Sequence, residues 1–295
     1  MSVNKNNLHQ AHDFLCHHSR IWGQNVYVYP VISRRSSGLS IGINLNLDAS
    51  CNFHCVYCQV DRTLPRQRQD IDLEQLGNEL HDMLLAVQDG SLWASGAFSH
   101  VPTPLRRLDN LAIAGDGEPT LCRWFPEAIA VIGGIKTQLG LHDLKLVLMT
   151  NASRLGDVSV RQALKLFDAL GGEVWAKLDV GSEATFQAVN RARVPFQEIL
   201  KNVALCGQER PLVIQSMFLH LPGLENSAAD FGDFLDRLAE LLAAGCRIKA
   251  LQLYTLARPP AESGATPLAD AELDTLAHRV RTRFPSLPVE AFYTA

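Results

Sequence analysis

The chain runs Ile41-Gly42-Ile43-Asn44-Leu45-Asn46-Leu47, then Asp48-Ala49-Ser50, then Cys51-Asn52-Phe53-His54-Cys55-Val56-Tyr57-Cys58. Apolar side chains at every second position predict a strand over 41–47, and a loop carrying three cysteines follows it directly. Downstream, Leu73, Leu76, Leu80, Leu84 and Val87 recur at helical spacing, so residues 72–89 read as a helix with Asp72 as its cap. Apolar runs at 111–114, 144–149, 173–178, 212–218 and 248–254 predict further strands. Between and after them lie amphipathic stretches at 124–138, 158–169, 183–190, 196–207, 228–244 and 269–283. Residues 289–293 read as one more strand, and Val26-Tyr27-Val28-Tyr29 as an extra one before the series. Residues 90–108, with Gly90, Ser91, Gly96, Pro102 and Pro104, read as an insertion or a lid.

Strand and helix in alternation predict an α/β fold with a parallel sheet and helical crossovers. An open doubly wound sheet and a full or partial barrel both satisfy six β/α units. In either, the loops after the C-terminal strand ends build the site. No internal repeat is visible. Residues 1–39 read as an N-terminal extension and 40–295 as the repeating domain.

Composition narrows the function. The 295 residues are 47% hydrophobic, enough for a large core and too much for a disordered or low-complexity chain. No apolar run approaches the roughly 18 residues of a membrane-spanning helix. The polar start Met1–Asn7 lacks the apolar core of a secretion signal, which predicts a cytoplasmic protein. The net charge of −4 speaks against a broad nucleic-acid-binding surface, although Arg62, Arg66 and Arg68 form a short basic run.

An odd count of seven cysteines makes a poor disulfide framework. In a reducing compartment, the cluster Cys51, Cys55 and Cys58 points to metal or redox chemistry. A [4Fe–4S] cluster normally takes four cysteines, so the C-x3-C-x2-C loop would leave one iron open to a further ligand. A structural zinc site completed by His54 and a chance grouping of buried thiols are the alternatives. Cys122 is either a fourth ligand or a core thiol. Cys16, Cys206 and Cys246 show no ligand spacing. His12, His17 and His18 beside Cys16 fit a solvated helix face better than a metal site.

The cysteine loop, with aromatic Tyr57 just before the last cysteine, resembles that of the radical SAM superfamily over roughly residues 40–256. The resemblance implies a partial (β/α)6 barrel. It also implies that the three thiolates hold three irons, while the fourth chelates the amino and carboxylate groups of S-adenosylmethionine (SAM), with Tyr57 near the adenine. Gly115-Asp116-Gly117-Glu118-Pro119-Thr120 resembles the family's Gly-Gly-Glu-Pro segment, which contacts the methionyl amine; Asp116 stands where a second glycine is usual. Its glycines are expected to take positive φ and to let the backbone approach a ligand.

By the same resemblance Thr150 and Asn151 face the cofactor or substrate, and Asp179 and Ser182 are candidates for the ribose hydroxyls. Gln215 and Ser216 interrupt an apolar strand, and one of that pair is expected to face the lumen where the cofactor would lie. For several of these a helix cap or a turn is the competing role. Lys177, Tyr254 and Arg258 are the substrate-binding candidates. Arg258 suits a carboxylate or phosphate, with an ion pair to Glu262 as its alternative. The implied function is hydrogen abstraction by a 5′-deoxyadenosyl radical, with a reductant such as flavodoxin or ferredoxin as partner. Val189-Asn190-Arg191 and the 252–262 segment resemble a group related to wyosine synthases, which leaves a tRNA substrate open. A zinc-stabilised binding module or an electron-transfer protein would be the rival classes.

Overall fold

The computed structural model describes residues 22–33, 35–63, 70–94, 96–224 and 228–294. The expectations for His12, Cys16, His17, His18, Arg66 and Arg68 lie outside the described residues. The strands are β1 (Val28–Ser33), β2 (Gly38–Ile43), β3 (Leu108–Ile113), β4 (Lys145–Thr150), β5 (Gly172–Lys177), β6 (Leu212–Met217), β7 (Leu219–His220), β8 (Ile248–Tyr254), β9 (Thr266–Pro267) and β10 (Val289–Phe292). The helices are α1 (Leu73–Gln88), α2 (Phe125–Gln138), α3 (Val158–Ala169), α4 (Glu183–Val189), α5 (Phe196–Glu209), α6 (Ala228–Ala243) and α7 (Asp270–Arg283).

Eight strands form one sheet in the order β1-β2-β3-β4-β5-β6-β8-β10, while β7 and β9 make a small antiparallel ribbon. Within the eight-stranded sheet only β1 runs antiparallel to its neighbour; every other pairing in it is parallel. The order from β2 to β10 never reverses. Right-handed crossovers that always step the same way put all helices on one face and curl the sheet around the other. This decides between the two arrangements open to the sequence: the fold is a partial barrel, with β1 and β10 at its edges.

Side-chain alternation fills both faces. Ile41, Ile43, Leu111, Ile113, Leu146, Leu148, Val174, Ile214, Leu251 and Leu253 pack toward the helices in one large core. Ala112, Val147, Trp175 and Val213 form a separate cluster with Met149 and Ala250 on the inner face. Burial on both faces makes these strands read as near-continuous apolar runs.

The helix predicted over 72–89 is α1, with Leu76, Leu80, Met83 and Leu84 buried. The Asp72 carboxylate accepts from the Gln75 N–H at 3.0 Å. Asp72→Ala should lose about 1 kcal/mol, the usual value of such a cap, and melt about 2 °C lower in a calorimetric scan.

The first strand differs from its expected span. It begins at Gly38 and ends at Ile43, because Asn44 leaves the ladder. Its Oδ1 accepts from the Asn46 and Asp116 N–H groups at 3.0 and 3.2 Å. Residues 44–47 thereby become a loop packed on the turn after β3. The extra strand falls at 28–33, not 26–29; at its start the Glu79 carboxylate takes the N–H groups of Val26, Tyr27 and Val28 at 2.9, 2.8 and 3.1 Å. β1 then pairs with β2 along its whole length. Ser91–Trp93, Ala97–His100 and Thr103–Leu105 are three short 3-10 turns that lead into the N-terminal end of β3. They lie opposite the cysteine loop, which fits an insertion and not a lid. Among the described residues, no helix is long and apolar enough to cross a membrane.

Candidate cluster and cofactor site

The cysteine loop is pinned by backbone bonds from several segments. The N–H groups of Glu118, Arg193 and Ala261 donate to the carbonyls of Ser50, Asn52 and Cys58 at 2.9, 3.0 and 2.8 Å. His54 and Val56 donate to Asn190 and Val189 at 3.0 and 2.9 Å. Phe53, Val56 and Tyr57 are buried, and Phe53 meets Phe186 edge-on at 5.3 Å between ring centroids. The apolar residues anchor the loop, and the three half-buried cysteines between them are free thiols.

Burial pushes the Cys51 thiol up to about 12, with the charge of Glu118 adding to it, and burial also raises Cys55. A cationic partner is what turns such thiols into thiolates. Zinc would need its ligands converging on one ion about 2.3 Å from each sulfur. Among the described residues no three Cys, His, Asp or Glu side chains converge in that way. His54 Nε2 instead lies 3.1 Å from Glu262 Oε1. A [4Fe–4S] cubane, which gives each thiolate its own iron, needs no such convergence. Cys122, half-buried after the Pro119–Leu121 turn, has its thiol raised by burial.

Each cysteine sulfur faces a side-chain donor. Asn151 Nδ2 lies 3.8 Å from Cys51 Sγ, Asn190 Nδ2 lies 3.5 Å from Cys55 Sγ, and Arg62 Nη2 lies 3.6 Å from Cys58 Sγ.

The Gly115–Thr120 turn abuts this loop. A Cβ on Gly115 would sit 2.2 Å from Asn44 Oδ1, and one on Gly117 would sit 2.2 Å from the Ser50 carbonyl oxygen. Neither glycine takes the positive φ expected of it. They are needed because two loops touch. Glu118 is buried and accepts from the Thr120 and Thr150 hydroxyls at 2.6 Å each, from Asn151 N–H at 2.6 Å and from Thr120 N–H at 3.2 Å. Burial lifts its pKa above the ordinary carboxylate range, against the pull of these donors. Three of these donors fall on Oε1 and only the Asn151 N–H on Oε2, so Glu118 ties the β3 turn to the end of β4 while Oε2 keeps a lone pair for a further donor. The Asp116 carboxylate accepts from Asn44 Nδ2 at 3.0 Å, its carbonyl accepts from Arg62 Nη2 at 3.0 Å, and Pro119 opens the 3-10 turn.

At the end of β5 a second network forms. Tyr57 OH donates to Asp179 Oδ2, which also accepts from Asn190 Nδ2 at 2.8 Å; Asp179 Oδ1 accepts from Met217 N–H at 2.9 Å. Lys177 Nζ donates to Tyr57 OH at 3.0 Å and bonds to Tyr254. Burial works against the Lys177 charge, but Tyr254, Asp179 and Cys55 outweigh it and hold the ammonium above its usual range. Burial and the neighbouring Asp179 raise Tyr57 well above an ordinary phenol.

Gln215 Nε2 donates to Gln252 Oε1 at 2.8 Å, and Gln252 Nε2 to Glu290 Oε2 at 3.0 Å. With Lys177 in register, these make a polar row across β5, β6, β8 and β10. Ser182 stands apart from the network: it caps α4, accepting from Thr185 N–H at 3.3 Å. Arg258 Nη1 donates to Gln59 Oε1 at 3.1 Å, beside Cys58, while Glu262 holds Arg191 at 2.7 Å.

Several buried polar atoms here find no protein partner: Asn46 Oδ1, Arg62 Nε and Asn190 Oδ1. Buried polar groups are normally satisfied. Three such atoms around one cysteine loop, with three sulfurs on it, fit a bound polar cofactor and its cluster. A polar cavity of about 440 Å³ reaches Cys51 beside His54, Arg62, Arg191 and Arg193. A more apolar cavity of about 350 Å³ runs from Asp179 past Phe218, Phe231 and Phe234.

This fold is that of the radical SAM enzymes. A radical SAM methyltransferase from Sphaerobacter thermophilus superposes with a TM-score of 0.61 at 14% identity, over 90% of this chain and 69% of its own. TYW1 with a lysine–pyruvate adduct superposes with a TM-score of 0.52 at 13% identity, over 84% of this chain and 74% of its own. In sequence, a UPF0026 protein of Helicobacter pylori is 28% identical over 234 residues, which are 78% of this chain and 66% of that protein. The chain thus spans just under two thirds of that curated relative. No family model matches the chain.

Proposed function

We propose that the chain is a radical SAM enzyme with one [4Fe–4S] cluster on Cys51, Cys55 and Cys58. The observation that carries this is a loop of three half-buried thiols at the C-terminal end of β2 in a partial barrel of this type, ringed by buried polar atoms that lack protein partners. When bound, the cluster and SAM supply a 5′-deoxyadenosyl radical for hydrogen abstraction.

The chain's own residues bind and orient. The Gly115–Gly117 backbone carbonyls and Glu118 Oε2, which accepts only the Asn151 N–H, are the acceptors offered to the methionyl amine. Thr150 and Asn151 hold Glu118 in place, and Pro119 fixes the turn. Tyr57, Asp179 and Asn190 serve the adenosyl moiety, and Gln215 lines the inner face. Ser182 acts on this site only by starting α4. Lys177, Tyr254 and Arg258 are the groups for substrate, with Arg258 suited to an anionic one. Reduction needs an electron donor of the flavodoxin or ferredoxin kind.

The test is anaerobic. Adding SAM to reconstituted, reduced protein should change the cluster's EPR spectrum, and dithionite with SAM should release methionine and 5′-deoxyadenosine slowly without substrate. An unchanged spectrum together with no cleavage would overturn the proposal.

A further inference from the structure

We propose that Asn151, Asn190 and Arg62 set the reduction potential of the cluster, each through an N–H donor aimed at one cysteine sulfur. The inference rests on the function proposed above and assigns these side chains a task that binding and folding do not require.

The three donors come from separate elements: the end of β4, the C-cap of α4, and the chain just after the cysteine loop. Each is held in orientation by other bonds. Asn151 Oδ1 accepts from Ser153 N–H at 3.0 Å and its Nδ2 donates to Asn52 Oδ1 at 2.9 Å, so the amide cannot flip without losing both. Asn190 is almost wholly buried, and its Nδ2 is fixed by Asp179 at 2.8 Å. The Arg62 fork spans the carbonyls of Ala49 and Asp116 as well as Cys58 Sγ. Cys51 Sγ also accepts from the Phe53 N–H at 3.4 Å, yet a side-chain donor on each of the three sulfurs, drawn from three elements, is a pattern that bracing the loop does not need; five backbone bonds already do that.

Hydrogen bonds to cluster sulfurs are among the levers on iron–sulfur potentials. Reduction adds one negative charge to a centre with three thiolates in half-buried surroundings. An N–H pointed at a sulfur stabilises the more negative state and raises the potential. Arg62 adds a full positive charge to its hydrogen bond, so it should contribute most.

The experiment is an EPR-monitored redox titration of reconstituted protein without SAM. Arg62→Met should lower the equilibrium constant for reduction about tenfold, a shift of about 59 mV to more negative potential for one electron. Asn190→Leu and Asn151→Leu should move it the same way by less, and Arg62→Lys should recover part of the loss. Variants with full iron content and the wild-type midpoint would overturn the inference. A wild-type measurement covers variants that load poorly. With 15N in Arg and Asn side chains, pulsed EPR of the reduced cluster should detect their hyperfine coupling, and its absence would also overturn the inference. A wild-type chain that assembles no [4Fe–4S] cluster would instead refute the proposed function.

Discussion

Reconstituted anaerobically, the wild-type chain should hold about four irons, and Cys51→Ala, Cys55→Ala or Cys58→Ala should each hold close to none. The loop supplies only three thiols, so a cluster left with two has no third thiol in the loop to recruit. Cys206 lies fully buried beside Arg210, and Cys246 packs against Gly207 behind the sheet. Cys206→Ala and Cys122→Ala should therefore keep the iron, although emptying the Cys206 site costs some stability, as any core truncation does. The ligand variants should fold. Their loop is held by backbone bonds to Asn190, Val189, Arg193, Glu118 and Ala261, none of which involves a cysteine sulfur. Iron and sulfide analysis, with the brown absorbance and far-UV circular dichroism of the same samples, checks both halves. About eight irons per chain would contradict the single-cluster reading. Full iron in any one ligand variant would show that Cys122 or another group can substitute.

Much of this fold can be read locally. Apolar runs locate β3 to β6 and β8, and the leucine spacing behind Asp72 locates α1, because both signals lie within one element. What escapes is set by partners distant in sequence. Nothing near Asn44 shows that it turns toward Asp116, so the first strand reads too long. Nothing near Val26 shows that Glu79 takes its N–H. Strand order, which separates a barrel from a doubly wound sheet, is likewise non-local. The site divides in the same way. The cysteine triplet is visible from its spacing alone. Arg62 and Asn190 carry no spacing signal, and Asn190 meets Cys55 across 135 residues. Glu118 was visible as a residue of interest, but its four donors come from Thr120, Thr150 and Asn151, so its bracing role needs the structure. Gly115 and Gly117 suggested a special backbone conformation, whereas the constraint is the loop lying against them.

That constraint makes Gly117→Ala the most disruptive small substitution in the site. The new Cβ would stand 2.2 Å from the Ser50 carbonyl oxygen and 2.6 Å from Asn46 Cβ. Backbone and a Cβ cannot escape by changing rotamer, so one of the two loops must move. The same Ser50 carbonyl accepts the Glu118 N–H at 2.9 Å, so movement also breaks the tie between the cysteine loop and the Glu118 turn. Overpacking of this kind costs about 2–3 kcal/mol, or several degrees in the melting temperature. Gly134→Ala is the matched control, because its Cβ meets nothing within 4 Å and it sits inside α2. There the helix should gain about 0.5–1 kcal/mol from the alanine. Melting the metal-free proteins isolates the packing effect, and reconstituting them afterwards reports the site. Gly117→Ala should melt lower and load little iron, because displacing Ser50 displaces Cys51 next to it. A Gly117→Ala chain that melts with the wild type and takes up four irons would show that the two loops can part without cost, and that their contact does not position the cysteines.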